Sequence, residues 1–153
     1  MLLTRIVLDS DEVVTVYLRD AQSARTVRSE AILDVNGAGQ WIRGIELLGG
    51  VDFNLETAVK PFNPRRPLSG ESSGVTYDEE VNAAFIYFLM KSPNIYMPET
   101  ALKYSHSITP IAELAFDADG GLLWLRFSAG AANKSCADFV SLINAPVERV
   151  TLR

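Results

Sequence analysis

The sequence predicts one mainly β, α+β domain: two tandem antiparallel β repeats packed with pseudo-two-fold symmetry as a sandwich or flattened barrel, with one or two short helices. Three observations carry this expectation. Short runs rich in Val, Ile, Leu, Tyr and Phe recur along the chain, the residue types that fit a pleated, half-buried surface. Polar clusters containing Asp, Asn and Gly separate them as turns. After a Pro-, Gly- and Ser-rich stretch the order of motifs begins again.

Taken in order, Arg5-Ile-Val-Leu8 and Val13-Val-Thr-Val-Tyr-Leu18 read as a hairpin closed by Asp9-Ser-Asp-Glu12. Val14, Val16 and Leu18 share one face, and Thr15, Tyr17 and Arg19 the other, the period-two pattern of a strand buried on one side. A third strand is expected over about Val27 to Val35, followed by an Asn36-Gly-Ala-Gly39 loop and a returning strand from Trp41 to Leu48. Gly44 within that strand predicts a bulge or a close backbone approach.

Residues 62–74 form the expected linker between repeats 1–61 and 75–146, all within a single domain, 1–153. The second repeat reads Val75 to Asp78, Asn82 to Met90, Glu113 to Asp117, a turn at Asp117-Ala-Asp-Gly-Gly121, and Leu122 to Ser128. Leu33 and Gly39 precede Leu114 and Gly120 by 81 residues, and Val16-Tyr17 precede Ile86-Tyr87 by 70. A short helix is expected within 135–144, where Ser135 and Asp138 resemble a capping box, and a terminal strand over 147–153.

The 153-residue length suits one domain, and 22% charged against 48% hydrophobic residues is ordinary for a folded chain. The net charge of −5 divides as −2 over residues 1–74 (8 Lys/Arg, 10 Asp/Glu) and −3 over 75–153 (6 against 9). With no basic cluster beyond Arg65-Arg66, nucleic-acid binding is not expected. The longest apolar run, Ala83 to Met90, falls far short of the ~20 residues that span a bilayer, and Asp9 interrupts any signal-peptide core. No membrane association is expected. A single cysteine, Cys136, permits no internal disulfide, and a cytoplasmic location is the default.

The motifs Tyr77-Asp78 through Asn82-Ala-Ala-Phe-Ile86, Asp117-Ala-Asp-Gly120 and Gly44-Ile-Glu-Leu-Leu48 resemble a bacterial family of small domains of unknown function. Each repeat retains the half of the signature that the other has lost, and Trp124-Leu-Arg-Phe127 replaces the Gly-Ile-Glu stretch in the second. The resemblance covers about two thirds of the chain. It implies a fold through turn and core residues, an antitoxin-like partner role for single-copy relatives, and no catalytic residues.

The titratable residues support no mechanism. His106, the one histidine, has no sequence-evident nucleophile or orienting acid, so a structural role is expected. Cys136 fits a small buried residue. Asp117-Ala-Asp-Gly-Gly121 lacks the bidentate Glu of a calcium loop, whose twelfth position is Ser128 here, and reads as a hairpin turn. No catalytic, cofactor or metal site is expected.

One surface stands out. Phe85, Tyr87, Leu89 and Trp124 fall opposite the inward set Ile86, Phe88, Leu123, Leu125 and Phe127, and form the candidate partner surface unless residues 135–144 cover it. The expected function is a non-enzymatic protein-interaction or accessory module whose partner is another protein or a second copy of the chain. The alternative is a small-ligand-binding protein or weakly signalled enzyme with a pocket between the two repeats. A deep pocket would favour the second; a flat apolar patch or bare sheet edge, the first.

Overall fold

The computed structural model of the chain describes residues 5–36, 42–64, 74–87, 104–108, 111–128 and 147–151. Among them are strands β1 (Arg5–Leu8), β2 (Val13–Tyr17), β3 (Arg25–Glu30), β4 (Ile32–Asn36) and β5 (Ile42–Leu48), then helix α1 (Leu55–Val59). There follow β6 (Gly74–Asp78), β7 (Ala83–Tyr87), β8 (Tyr104–Ile108), β9 (Ile111–Phe116), β10 (Leu122–Ser128) and β11 (Val147–Arg149). The fold is mainly β with a short helix, in two open sheets, as expected from the sequence.

One sheet runs β11-β1-β2-β10-β9-β3 and the other β6-β7-β5-β4-β8. Neither sheet belongs to one half of the chain. The β4–β5 hairpin pairs with β7 and β8, and the β9–β10 hairpin pairs with β2 and β3. The strand orders correspond: β1, β2, β10, β9 and β3 follow one another as β6, β7, β5, β4 and β8 do. The pairing is antiparallel throughout except at one edge, where β11 lies parallel to β1.

The chain changes sheets where one continuous strand was expected. Val27 to Val35 is two strands, broken at Ala31, which is fully buried. β3 and β4 lie in different sheets, so the packing between the layers overrides the local β propensity of the joint.

The core lies between the sheets. Ile6, Val16, Leu125, Leu114 and Val27 face one another in register across the six-stranded sheet. Val75, Ile86, Ile45 and Leu33 do the same across the other, with Ile108 at the next place in the backbone register. Ile6, Val16, Leu33, Ile45, Ile86, Leu114 and Leu125 are at most 1% exposed and share one core cluster. At roughly 25 cal/mol per Å² of buried apolar surface, these facing rows contribute to the drive for layer packing along with the rest of the cluster. Leu123, expected inward, stands outside that cluster: the register slips between Leu122 and Trp124, and Leu122 takes the inward place.

Helix α1 is too short to be stable alone and is fixed by what it buries. Asn54 caps it, its Oδ1 accepting from Thr57 N at 2.9 Å. Leu55, Ala58 and Val59 enter the core, the Phe53 ring stands 5.4 Å from that of Phe116, and the helix packs on β6 and β7. Lys60–Phe62 continues as a 3₁₀ turn ending at Asn63 with φ 50°, so ordered structure reaches into the expected linker from one side, as β6 does from Gly74 on the other. The expected helix within 135–144 lies outside the described residues, and the expected terminal strand is β11.

Candidate functional site

The signature residues turn out to hold turns. In the β1–β2 turn Asp9 Oδ1 accepts from Asp11 N at 2.8 Å and Val13 N at 3.1 Å, with Glu12 at φ 64°. In the β6–β7 turn Asp78 Oδ1 accepts from Glu80 N at 3.0 Å, with Asn82 at φ 49°. The Tyr77 hydroxyl donates to Asn82 Oδ1 at 2.7 Å. Burial, followed by the nearby carboxylates of Glu56, Glu79 and Asp78, raises the Tyr77 phenol above its ordinary pKa, which keeps the proton that this bond needs.

Asp117 closes the β9–β10 turn in the same manner. Its Oδ1 accepts from Asp119 N and Gly121 N, each at 2.9 Å, while its Oδ2 accepts from Arg19 Nη1 at 2.8 Å. The Gly121 N–H and then Arg19 hold its carboxyl below the usual range. The carboxylate is thus occupied by the turn and Arg19, and Gly120 at φ 86° supplies the left-handed position the turn requires. Among the described residues no group of three or more His, Cys, Asp and Glu stands close enough to hold a metal ion.

Beside this turn lies an open depression of about 310 Å³, lined by Thr57, Lys60 and Pro61 from the α1 region and Asp117, Asp119 and Gly121 from the turn. It falls between the two halves of the chain, where a ligand pocket was anticipated. Its polar groups do not converge on a bound atom, because Asp117, the most buried of them, faces Arg19.

The predicted surface residues that the structure describes are divided between the two sheets. Phe85 and Tyr87 are in β7 of the five-stranded sheet; Trp124 is in β10 of the six-stranded sheet. The separation follows from the exchange of hairpins, which carries β10 away from β7 to pair with β2. Phe85 is half-buried, and its ring stands over Gly44, where an added Cβ would lie 2.7 Å from Phe85 Cε1. The side chain of Tyr87, together with Leu89, Phe88, Cys136 and the expected cover 135–144, lies outside the described residues; so does the side chain of His106, whose backbone pairs with Val35.

Trp124 stands opposite Tyr17 on the outer face of the six-stranded sheet. Arg126 lies over the Trp124 ring at 4.5 Å, and Arg5 over the Tyr17 ring at 5.6 Å. Arg126 pairs with Glu113, and Arg5 with Glu148 at 2.7 Å. The centre of this face is closed, since the outward Val7, Thr15 and Ala115 are all buried.

Among the described residues, an open feature is the edge at β3. β3 ends the six-stranded sheet, and of its six residues Val27 and Ser29 are half-buried and the other four exposed. β6, at one end of the other sheet, has Val75 and Thr76 buried with α1 packed against it. Sequence reading missed β3 as a separate edge because it was joined to β4. One apolar residue in Arg25-Thr-Val-Arg-Ser-Glu30, against the Ile32, Leu33 and Val35 of the next five, was the signal available.

Comparison with known proteins adds no relative: no family model, no characterised protein and no solved structure matches this chain.

Proposed function

We propose that the chain is a non-enzymatic interaction or accessory module that receives a partner protein at the β3 edge of its six-stranded sheet. The observation that carries this reading is a six-residue strand, Arg25–Glu30, that terminates a sheet and has four exposed residues, with Val27 and Ser29 half-buried. Such an edge offers a row of backbone donors and acceptors to an added strand. The engaged state of Asp117 and the lack of convergent polar groups in the depression favour binding over catalysis. The correspondence of strand orders, and of Asp9/Glu12 with Asp78/Asn82 in their turns, supports a duplicated unit fused into an intramolecular dimer.

The test is to purify the protein from its source with what it carries and to compare amide exchange in the complex and in the free chain. Slower exchange across residues 25–30 with a protein bound is the expected result. A co-purifying small molecule that protects the α1 and Asp117 region instead would replace this reading with the ligand-binding one.

A further inference from the structure

The charges along the outer face define what the edge accepts. In one register row Arg126, Glu113 and Arg28 stand side by side on β10, β9 and β3. Arg126 and Glu113 form an ion pair, whereas Arg28 is exposed and makes no ion pair among the described residues. The row thus alternates in sign and stops on a cation at the sheet margin. Glu30, exposed two residues on, closes a second row with the opposite charge. On the inner face Arg25 lies over the Phe116 ring at 5.3 Å, and Val27 packs against the core cluster.

We propose that β3 docks an extended peptide of defined pattern, added antiparallel, with a carboxylate opposite Arg28, an apolar residue opposite Val27 and a cation opposite Glu30. Directly opposed charges of unlike sign stabilise neighbouring strands and like charges oppose them, so an incoming acid at the Arg28 position extends the ladder by one step. The apolar residue opposite Val27 continues the inward row Ile6-Val16-Leu125-Leu114-Val27. A second copy of the chain is the poorer occupant. A two-fold antiparallel pairing of β3 with itself keeps inner face with inner face by centring on a residue. Only registers centred on Val27 or Arg28 pair five of the six strand residues, whereas centring on Ser29, which would join Arg28 to Glu30, pairs three. The first sets Arg25 against Ser29 and the second sets Arg28 against itself, and neither joins opposite charges.

This inference rests on the edge-binding reading but is tested apart from it. The probe is the synthetic hexapeptide Lys-Thr-Glu-Val-Thr-Glu, whose residues face Glu30 back to Arg25 in turn, with Glu-Thr-Lys-Val-Thr-Lys as the reversed control. Both are titrated against the full-length labelled chain while amide shifts and exchange are followed at residues 25–30. The first peptide is expected to slow exchange in β3 and to bind at least about tenfold more tightly than the control, and Arg28→Glu with Glu30→Lys should invert that preference. These substitutions are at exposed edge positions and leave the core untouched. Equal binding of both peptides at β3 would overturn the charge pattern while leaving strand addition standing. Failure of either peptide to perturb β3 would overturn the docking proposal, and the exchange map of the natural complex would then judge the broader reading separately.

Discussion

Tyr17 and Tyr87 occupy the same register in their two sheets, yet the residues opposite them are Trp124 in one and Gly44 in the other. Two positions earlier on the same outer faces, Thr15 in β2 corresponds to Phe85 in β7. The bulk has changed strands. In the six-stranded sheet the hairpin strand β10 carries the large ring and β2 the small residue; in the five-stranded sheet β7 carries the ring and β5 has no side chain at all. The inner rows, by contrast, match position for position in apolar character. Inward residues must interlock across one shared core, so both sheets keep the same solution there. Outward residues answer only to their own sheet, and this is where the two sheets differ, as they do between β6, where Val75 and Thr76 are buried, and the more exposed β3.

The largest expected effect tests whether the shared core joins the two sheets. Phe116 is fully buried, touches Phe53 before α1, and lies under Arg25 of the edge strand. Phe116→Ala should cost about 3–5 kcal/mol in urea unfolding and speed amide exchange in both sheets together. Faster exchange confined to β9, β10 and β3 would mean that the sheets are separately stable, and the intermixed topology would then have no energetic consequence.

Gly44 comes next. A Cβ there would lie 2.1 Å from the Ile86 carbonyl oxygen, a backbone atom that cannot turn aside. Gly44→Ala should therefore cost about 2–3 kcal/mol, the upper part of the overpacking range, although Ala suits a strand better than Gly. A cost below about 0.5 kcal/mol in the same assay would show that β5 and β7 can separate without penalty.

The turns give a smaller effect with a definite sign. Asp117 has a depressed folded pKa, so its contribution is present above the unfolded aspartate value of about 3.9 and is lost as pH falls through the folded value. Melting temperature followed from pH 6 to pH 2 should drop more steeply below pH 4 for the natural chain than for Asp117→Asn. The amide still accepts from Gly121 and Asp119 but carries no charge for Arg19. Parallel curves would assign the acid sensitivity to other carboxylates.

Much of this architecture was legible in the sequence, and the reasons are local. The alternation in Val13 to Leu18, the limits of β10 at Leu122 and Ser128, and the turn at Asp117 to Gly121 follow from side-chain period and turn chemistry. Gly44 was flagged for a bulge or a close backbone approach, because a glycine in an apolar strand marks one or the other. The register with β4 shifts there and the Ile86 carbonyl approaches closely. What could not be read was which strands meet. Pairing of β2 with β10, rather than of β7 with β10, depends on contacts more than a hundred residues apart in the chain, which no period-two pattern encodes. Phe85 and Trp124 were grouped on one face for this reason, on the assumption that each half builds its own sheet, and they lie in different sheets. The slip at Leu123 was missed for a related reason: a bulge reverses the inward parity without altering composition.

The smallest effect expected is also the one that most sharpens the comparison, because it asks whether the exchanged bulk is one packing solution written on two strands. Thr15→Phe alone forces a ring into an outer-face position that is 8% exposed, beside a Trp124 already stacked with Arg126, and should cost about 1–3 kcal/mol. Trp124→Gly alone removes a half-buried ring and puts glycine into a strand, with a cost of about 2 kcal/mol from lost burial and backbone freedom. Together they recreate on β2 and β10 the Phe85–Gly44 arrangement of β7 and β5, the new phenylalanine lying over the new glycine. The two positions are diagonal neighbours on adjacent strands, as Phe85 and Gly44 are. The double variant should then fall within about 1 kcal/mol of the natural chain, a favourable coupling of at least about 2 kcal/mol in a double-mutant cycle. Simple addition of the two single costs would mean that Trp124 and Thr15 are held by different neighbours, and that the likeness between the outer faces ends at their register.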